Sequence, residues 1–275
     1  EAGLDPTVIN GGVINSLKNN AQLGKGDWAV IEADESDGSF LKLPINYSVV
    51  TNIDNEHLDF YKTYQNLIEA FIKFIEKTPP IGKAIVCLDD PEIKKILTKI
   101  KNKNYLTYGF NKKSNYQIIN TNYQLTSSSF DLKIQKYGSK KKIIKNIVLN
   151  LIGEHNILNA TAAIAVCLNL GVNETAFKKA LKNFSGVQRR LTKIFLKKGR
   201  EFYDDYAHHP TEIKAVLSGL KQVYKKRKLI SVFQPHRYSR VMNLKKEFSS
   251  SFIMSDSVIG KNCNICSHCF IGNDV

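Results

Sequence analysis

Trp28-Ala-Val-Ile31 is an apolar run that passes directly into Glu32-Ala-Asp-Glu-Ser-Asp37, four carboxylates in six residues. An apolar run that stops in acids reads as a buried strand whose C-terminal end opens into a cleft. Open α/β sheets keep their ligands at that edge. A second stretch repeats the design: Tyr47-Ser-Val-Val-Thr51 is β-branched, and Asn52-Ile-Asp-Asn-Glu-His-Leu-Asp59 follows it with three more acids and a histidine. Two strand ends bearing carboxylates and one imidazole suit a hard divalent cation such as Mg2+. Each stretch alone also allows a plainer reading, in which the acids cap loops and helix starts.

The 275 residues suffice for one large or two ordinary domains. Lys+Arg 40 against Asp+Glu 25 gives +15, a surface that attracts anions: nucleotides, phosphorylated substrates, nucleic acid or acidic lipid. Much of the excess lies between Lys133 and Lys145, where Lys140-Lys-Lys142 follows Gly138-Ser139 and reads as a solvated hairpin turn. No apolar run approaches the roughly 20 residues that cross a bilayer, and no signal peptide precedes Glu1, so a cytoplasmic protein without a membrane partner is expected. Five cysteines, two isolated in apolar runs and three crowded near the end, do not form the pattern of a secreted disulfide framework. The chain starts without a methionine, at Glu1-Ala-Gly-Leu-Asp-Pro6, and is expected to be an excerpt.

Asn10-Gly-Gly12 and Gly24-Lys-Gly26 are expected to mark turns on either side of a short element. After the two acid-tipped strands, apolar residues from Leu67 to Ile75 keep helical spacing over Gln65 to Lys77, and Pro79-Pro80 ends the helix. Lys83 to Leu88 reads as a buried strand, Asp89-Asp-Pro91 opens a helix through about Ile100, and Tyr105 to Phe110 returns as a strand. Strands alternating with helices imply an α/β fold with a mostly parallel sheet. From Asn115 to Leu151 the period changes to alternation, which predicts appended antiparallel hairpins. Gly153-Glu-His-Asn156 leads into an apolar helix from Ile157 to Leu170, and Asn173 caps another through Phe184. Ser185-Gly-Val-Gln188 is the best boundary. Beyond it come β-prone segments, Asp204-Asp-Tyr-Ala-His-His-Pro-Thr211, a helix from Glu212 to about Val223, a strand from Leu229 to Phe233, and Gln234-Pro-His-Arg-Tyr-Ser-Arg240, the start of a second, Rossmann-like α/β unit.

Taken together, Glu32 to Asp37, Thr51-Asn52 with His57-Leu-Asp59, Gly153 with His155-Asn156 and Asn159, Arg189-Arg190, Asp205 to Thr211 and Phe233-Gln-Pro-His-Arg237 resemble, in this order, the Mur ligase family of peptidoglycan synthesis. The likeness covers residues 1 to about 253. It implies an ATP-dependent ligase that joins a carboxylate of a UDP-sugar to an amine through an acyl phosphate, with UDP-N-acetylmuramate and L-alanine as substrates and ATP and Mg2+ as cofactors. It implies catalytic roles for Glu35, His57, His208 and Arg190, with Glu35 and His57 as Mg2+ ligands. Imidazole is an unusual Mg2+ ligand, and His57 bonded within its own loop is the alternative. His155, Asn156 and Asn159 are implied to hold the nucleotide, Asn156 and Asn159 sharing a helix face; Asn156 also suits a helix cap. Arg190 is implied to reach the phosphates, or else to pair with a nearby acid, and Asp205 to hold ATP from the far side. His208, His209, His236 and Arg237 are implied to receive the amino acid and acyl phosphate, one histidine of the His-His pair being structural.

The expected domains are 1–187, a central ATP-binding domain; 188–254, a partial C-terminal ligase domain; and 255–275, a tail. The Gly-Lys pairs at 24, 82 and 260 are followed by Gly, Ala and Asn, so none fits the phosphate loop of the family, and the chain as written is expected not to turn over. Ile259, Ile265 and Ile271 recur every six residues, resembling a hexapeptide-repeat acyltransferase in a run too short to stack and expected to pack poorly. Cys263, Cys266, Cys269 and His268 imitate metal-ligand spacing, but the hexad accounts for that stretch without them. Competing readings are a ligase that attaches a recycled peptide to UDP-N-acetylmuramate and, from the charge alone, a nucleic-acid-binding protein. The aromatic and basic interleaving of a single-strand platform is absent, and no nucleic-acid partner is expected.

Overall fold

The computed structural model describes residues 1–135, 138 and 140–260. Contacts divide the chain into two compact units: one of 1–122, 126–151 and 155–186, the other of 187 onward with the short pieces 123–125 and 152–154.

The first unit opens with β1 (Thr7–Ile14), β2 (Asn19–Gln22) and β3 (Ala29–Ile31), a small sheet in which β1 pairs antiparallel with β2 and parallel with β3. The expected turn at Asn10-Gly-Gly12 is not there: these residues lie inside β1, and the reversal comes at Asn15 to Lys18. Glycine serves a different purpose here. The Gly11 N–H donates to Glu32 Oε2 at 2.7 Å, and a Cβ on Gly11 would sit 3.2 Å from that oxygen.

The larger sheet has the order β4-β5-β6-β7-β8-β9 and is built from β4 (Ser48–Val50), β5 (Ala84–Cys87), β6 (Tyr105–Gly109), β7 (Tyr116–Tyr123), β8 (Ser128–Ile134) and β9 (Lys142–Leu149). β4 through β7 pair in parallel, and β8 with β9 antiparallel. Every residue of β5 is buried, the signature of a parallel strand covered on both faces. Between β4 and β5 lie α1 (Leu58–Tyr61) and α2 (Tyr64–Glu76). Thr63 caps α2 by accepting the Asn66 N–H, and the apolar stripe Leu67, Ile68, Phe74 and Ile75 is buried. Asp90 caps α3 (Pro91–Ile96), which is shorter than the sequence predicts. α4 (Glu154–Asn169) begins two residues before Asn156, so Asn156 stands in its first turn and not at its cap. Asn173 caps α5 (Glu174–Asn183), accepting the Ala176 N–H.

The second unit contains the antiparallel hairpin β10 (Thr192–Lys197) and β11 (Arg200–Asp204), then α6 (Pro210–Val223), β12 (Ile230–Phe233), α7 (Tyr238–Asn243), α8 (Lys245–Ser251) and β13 (Ser257–Gly260). Ile213 and Leu217 of α6 pack with Leu244 and with Phe248 of α8 to form its core, joined by Phe233 and Phe252. β13 corrects the expectation that a separate tail starts at 255. It pairs in parallel with β12, Ile259 opposite Val232, and Asp256 fixes the entry by accepting the Leu229 N–H and the Lys221 ammonium. A parallel strand needs only a short apolar run here, Val258-Ile259, which the six-residue period obscured. Ile265, Ile271, His268 and the three C-terminal cysteines lie outside the described residues. Among the described residues no helix is long and apolar enough to cross a membrane.

Candidate functional site

The acid stretch sorts itself by local hydrogen bonding. Glu32 is taken by Gly11, Asp34 accepts the Ser36 N–H at 2.8 Å, and Asp37 accepts the Ser39 N–H at 2.9 Å. The Ser39 hydroxyl and N–H hold the Asp37 carboxyl below its usual range. Glu35 points elsewhere. Its carboxylate lies 3.2 Å from His57 Nε2, although the strands that precede the two residues, β3 and β4, belong to different sheets.

Helix α1 makes that meeting reproducible. His57 stands at its N-cap with φ 58 and ψ 27, and its carbonyl accepts the Phe60 and Tyr61 N–H groups. The Tyr61 hydroxyl then donates to the Glu35 carbonyl at 2.6 Å, fastening the acid loop to the same turn. Burial, followed by the charge of Glu35, raises the Tyr61 pKa and keeps the phenol in its donating form. A non-glycine residue in the left-handed region costs about 1–2 kcal/mol, which the sequence tolerates at a histidine. Glu56, not singled out from the sequence, joins the pair: its carboxylate lies 3.8 Å from His57 Nε2, and one donor atom from each of the three side chains lies within 4.8 Å of the others. Two carboxylates and an imidazole form a donor set that fits a hard divalent cation with waters completing its shell.

At the start of α4, Asn156 Nδ2 lies 3.1 Å from His155 Nε2; both side chains are half-buried, and Asn159 is exposed one turn on.

In the second unit the turn after β11 is organised by two acids. Asp205 accepts the Leu191 N–H and the Ala207 N–H, each at 2.7 Å, and burial raises its pKa against those bonds. Glu212, absent from the sequence-based candidates, gathers several of them. Its Oε1 meets Arg190 at 3.2 Å, and its Oε2 accepts the His208 N–H at 3.0 Å and the His209 N–H at 3.3 Å. His209 and Glu212 close a capping box, with histidine in the place that Ser or Thr usually takes, so the sequence carried no ordinary signal for Glu212. His209 is the N-cap of α6, 5% exposed, with Nδ1 accepting the Thr211 N–H. His208 Nδ1 lies 2.9 Å from the Tyr206 carbonyl, and its ring stands edge-on to His236 at 6.4 Å. His236 and Arg237 are exposed, Arg237 at φ 64 before α7. Arg190 takes the acid-paired arrangement, with its guanidinium 6.0 Å from the Tyr206 ring centroid.

The Mur ligase middle domain matches residues 11–167, and the Mur ligase glutamate ligase domain matches residues 189–259. The chain belongs to the Mur ligase family. Among its relatives, the UDP-N-acetylmuramate–L-alanine ligase of Pelagibacter ubique is 55% identical over 256 residues, 93% of this chain and 55% of the relative. The solved structure of the UDP-N-acetylmuramate–alanine ligase MurC from Thermotoga maritima superposes with a TM-score of 0.74 at 28% identity, over 94% of this chain and 55% of that one. The MurF ligase of Thermotoga maritima, solved in complex with ADP, shares the fold at 19% identity and a TM-score of 0.73, over 94% and 60% of the two chains. The chain thus spans about half the length of the Mur ligases it matches. The second match ends at residue 259, inside β13, in accord with the pairing of that strand.

Proposed function

We propose that the chain carries the nucleotide-handling and amine-receiving portions of an ATP-dependent ligase that joins L-alanine to UDP-N-acetylmuramate. The observation that carries this reading is the convergence of Glu35 and His57 at 3.2 Å from strands of two different sheets, in a chain 55% identical to a ligase of that name. Glu35 and His57 would hold a Mg2+ ion, which would supply positive charge against the negative charge of the phosphates during phosphoryl transfer. Asn156 and Asn159 offer amides that both donate to and accept from an adenine edge, with His155 beside them. Arg190 exchanges Glu212 for a phosphate, which its fork matches better than one carboxylate oxygen. Asp205 fixes the Leu191 and Ala207 backbone and retains further lone pairs for the nucleotide. His208, His236 and Arg237 meet the incoming amino acid and the acyl phosphate, while His209 acts as a positioning residue through the cap.

The test measures ADP release with ATP, Mg2+, UDP-N-acetylmuramate and L-alanine, using the chain extended by the remaining part of the Pelagibacter ubique relative. Release that requires both UDP-N-acetylmuramate and L-alanine, and that falls at least 100-fold in Glu35→Gln, about 2.7 kcal/mol of transition-state stabilisation, is expected. Release that ignores either acceptor, or that survives Glu35→Gln, refutes the reading.

A further inference from the structure

Neighbouring residues rarely serve one ligand, because consecutive side chains of an extended segment point to opposite sides. Glu56 and His57 break that habit. The left-handed backbone at His57 turns the chain into α1, and the Glu56 N–H donates to the Asp54 carbonyl at 2.9 Å, closing a tight bend just before it. The result is a Glu56 carboxylate 3.8 Å from His57 Nε2, on a side chain only 19% exposed, where His57 itself is 13% exposed and Glu35 is 37% exposed. Of the three, the carboxylate that the sequence motif does not mark is the better enclosed of the two.

The distances have the scale of one coordination sphere. An octahedral ion with ligands at about 2.1 Å sets adjacent donors about 3 Å apart and opposed donors about 4.2 Å apart. Glu35 and His57 at 3.2 Å match adjacent positions, and Glu56 and His57 at 3.8 Å fall between the two values. All three donors lie within 4.8 Å of one another, so a sub-ångström closure of flexible carboxylates brings them onto a single ion.

We infer that Glu56 is a third protein ligand to the cation held by Glu35 and His57, an inference that rests on the metal reading above. It makes the centre a three-point site, with the remaining positions left to water and phosphate oxygens. The 275-residue chain is titrated with Mn2+ alone, and the His57 imidazole signals are followed by nitrogen-15 NMR for paramagnetic broadening. Broadening of His57 in the wild type, with at least tenfold more Mn2+ needed in Glu56→Gln and an intermediate requirement in Glu56→Asp, is the expected result. Circular dichroism checks that each variant is folded, and Glu56→Asp keeps the question answerable if Glu56→Gln is not. If Glu35→Gln removes the broadening while both Glu56 variants stay within twofold of wild type, Glu56 is not a ligand and the two-residue centre stands. If His57 in the wild type is not broadened at all, the metal reading fails and this inference fails with it.

Discussion

Glu201 gives the sharpest test of the electrostatics around the motif turn, because its surroundings are unusually rich in donors. Its Oε2 accepts from the Tyr224 hydroxyl at 2.6 Å and the Tyr203 hydroxyl at 2.7 Å, and lies 3.2 Å from the Lys193 ammonium. Its Oε1 takes the Arg227 guanidinium at 3.1 Å. The two tyrosine hydroxyls, with Lys193 assisting, pull its carboxyl down from 4.5 to about 2. A depression of that size corresponds to about 3 kcal/mol at neutral pH, and solvent screening at the edge of the hairpin reduces it to about 1–2 kcal/mol. The folded-state pKa is depressed, so this stabilisation is present above about pH 4.5 and is lost as the pH falls toward 2. Glu201→Gln keeps the shape and one acceptor but removes the charge. Hydrogen exchange of the β11 amides, corrected for intrinsic rates, should show protection lower by about 5- to 30-fold in the variant at pH 7. The gap should narrow to roughly less than half, in free energy, by pH 3. Protection within twofold of wild type at pH 7, or a gap that widens on acidification, would refute the reasoning.

Two further outcomes follow from the same geometry. Gly109 has φ 140, and a Cβ there would meet the Asp89 carboxylate at 2.5 Å, the group that accepts the Phe110 and Asn111 N–H bonds; Gly109→Ala should cost about 2 kcal/mol or more and lower the thermal midpoint by about 5 °C, and an unshifted midpoint would show that this turn gives way freely. Arg190→Ala in the extended chain should raise the KM for ATP about tenfold and leave that for L-alanine within twofold if the proposed forked phosphate contact is made; steady-state kinetics with unchanged ATP dependence would place Arg190 in a structural pair with Glu212 only.

Much of this architecture was legible because its signals are local. The apolar run before Glu32 gives β3, although Ala29 and Val30 are exposed and β3 is not the buried strand that the run implies; the fully apolar Ala84–Cys87 gives a strand buried on both faces, and Asn173 supplies cap chemistry that needs no tertiary knowledge. Residues whose role depends on a distant partner were harder to read. Gly11 looked like turn punctuation because nothing near it in sequence shows that Glu32, just past the neighbouring strand β3, lies against its bare Cα. Glu56 was counted among the acids that follow Tyr47–Thr51 but given no role of its own, since its place beside His57 Nε2 goes with the positive φ at His57, which no local signal shows. β13 was hidden by a competing six-residue period, since its partner β12 lies more than 20 residues upstream. A nearby acid was one of the two partners open to Arg190, but that the acid is Glu212 depends on how α6 presents its first turn.

Charge and direction are separate properties of the acid stretch. Glu32, Asp34 and Asp37 each accept a backbone N–H, at 2.7, 2.8 and 2.9 Å. Those bonds fix the directions of three carboxylates and the curvature of the loop without removing any charge, while Glu35 is turned toward His57. All four acids draw a cation to the loop, and the one that is left to face the imidazole is chosen by the turns around it. Loosening the Asp34 or Asp37 turns would leave the charge of the stretch unchanged and make it less selective, since flexible carboxylates capture a cation that a fixed one would refuse.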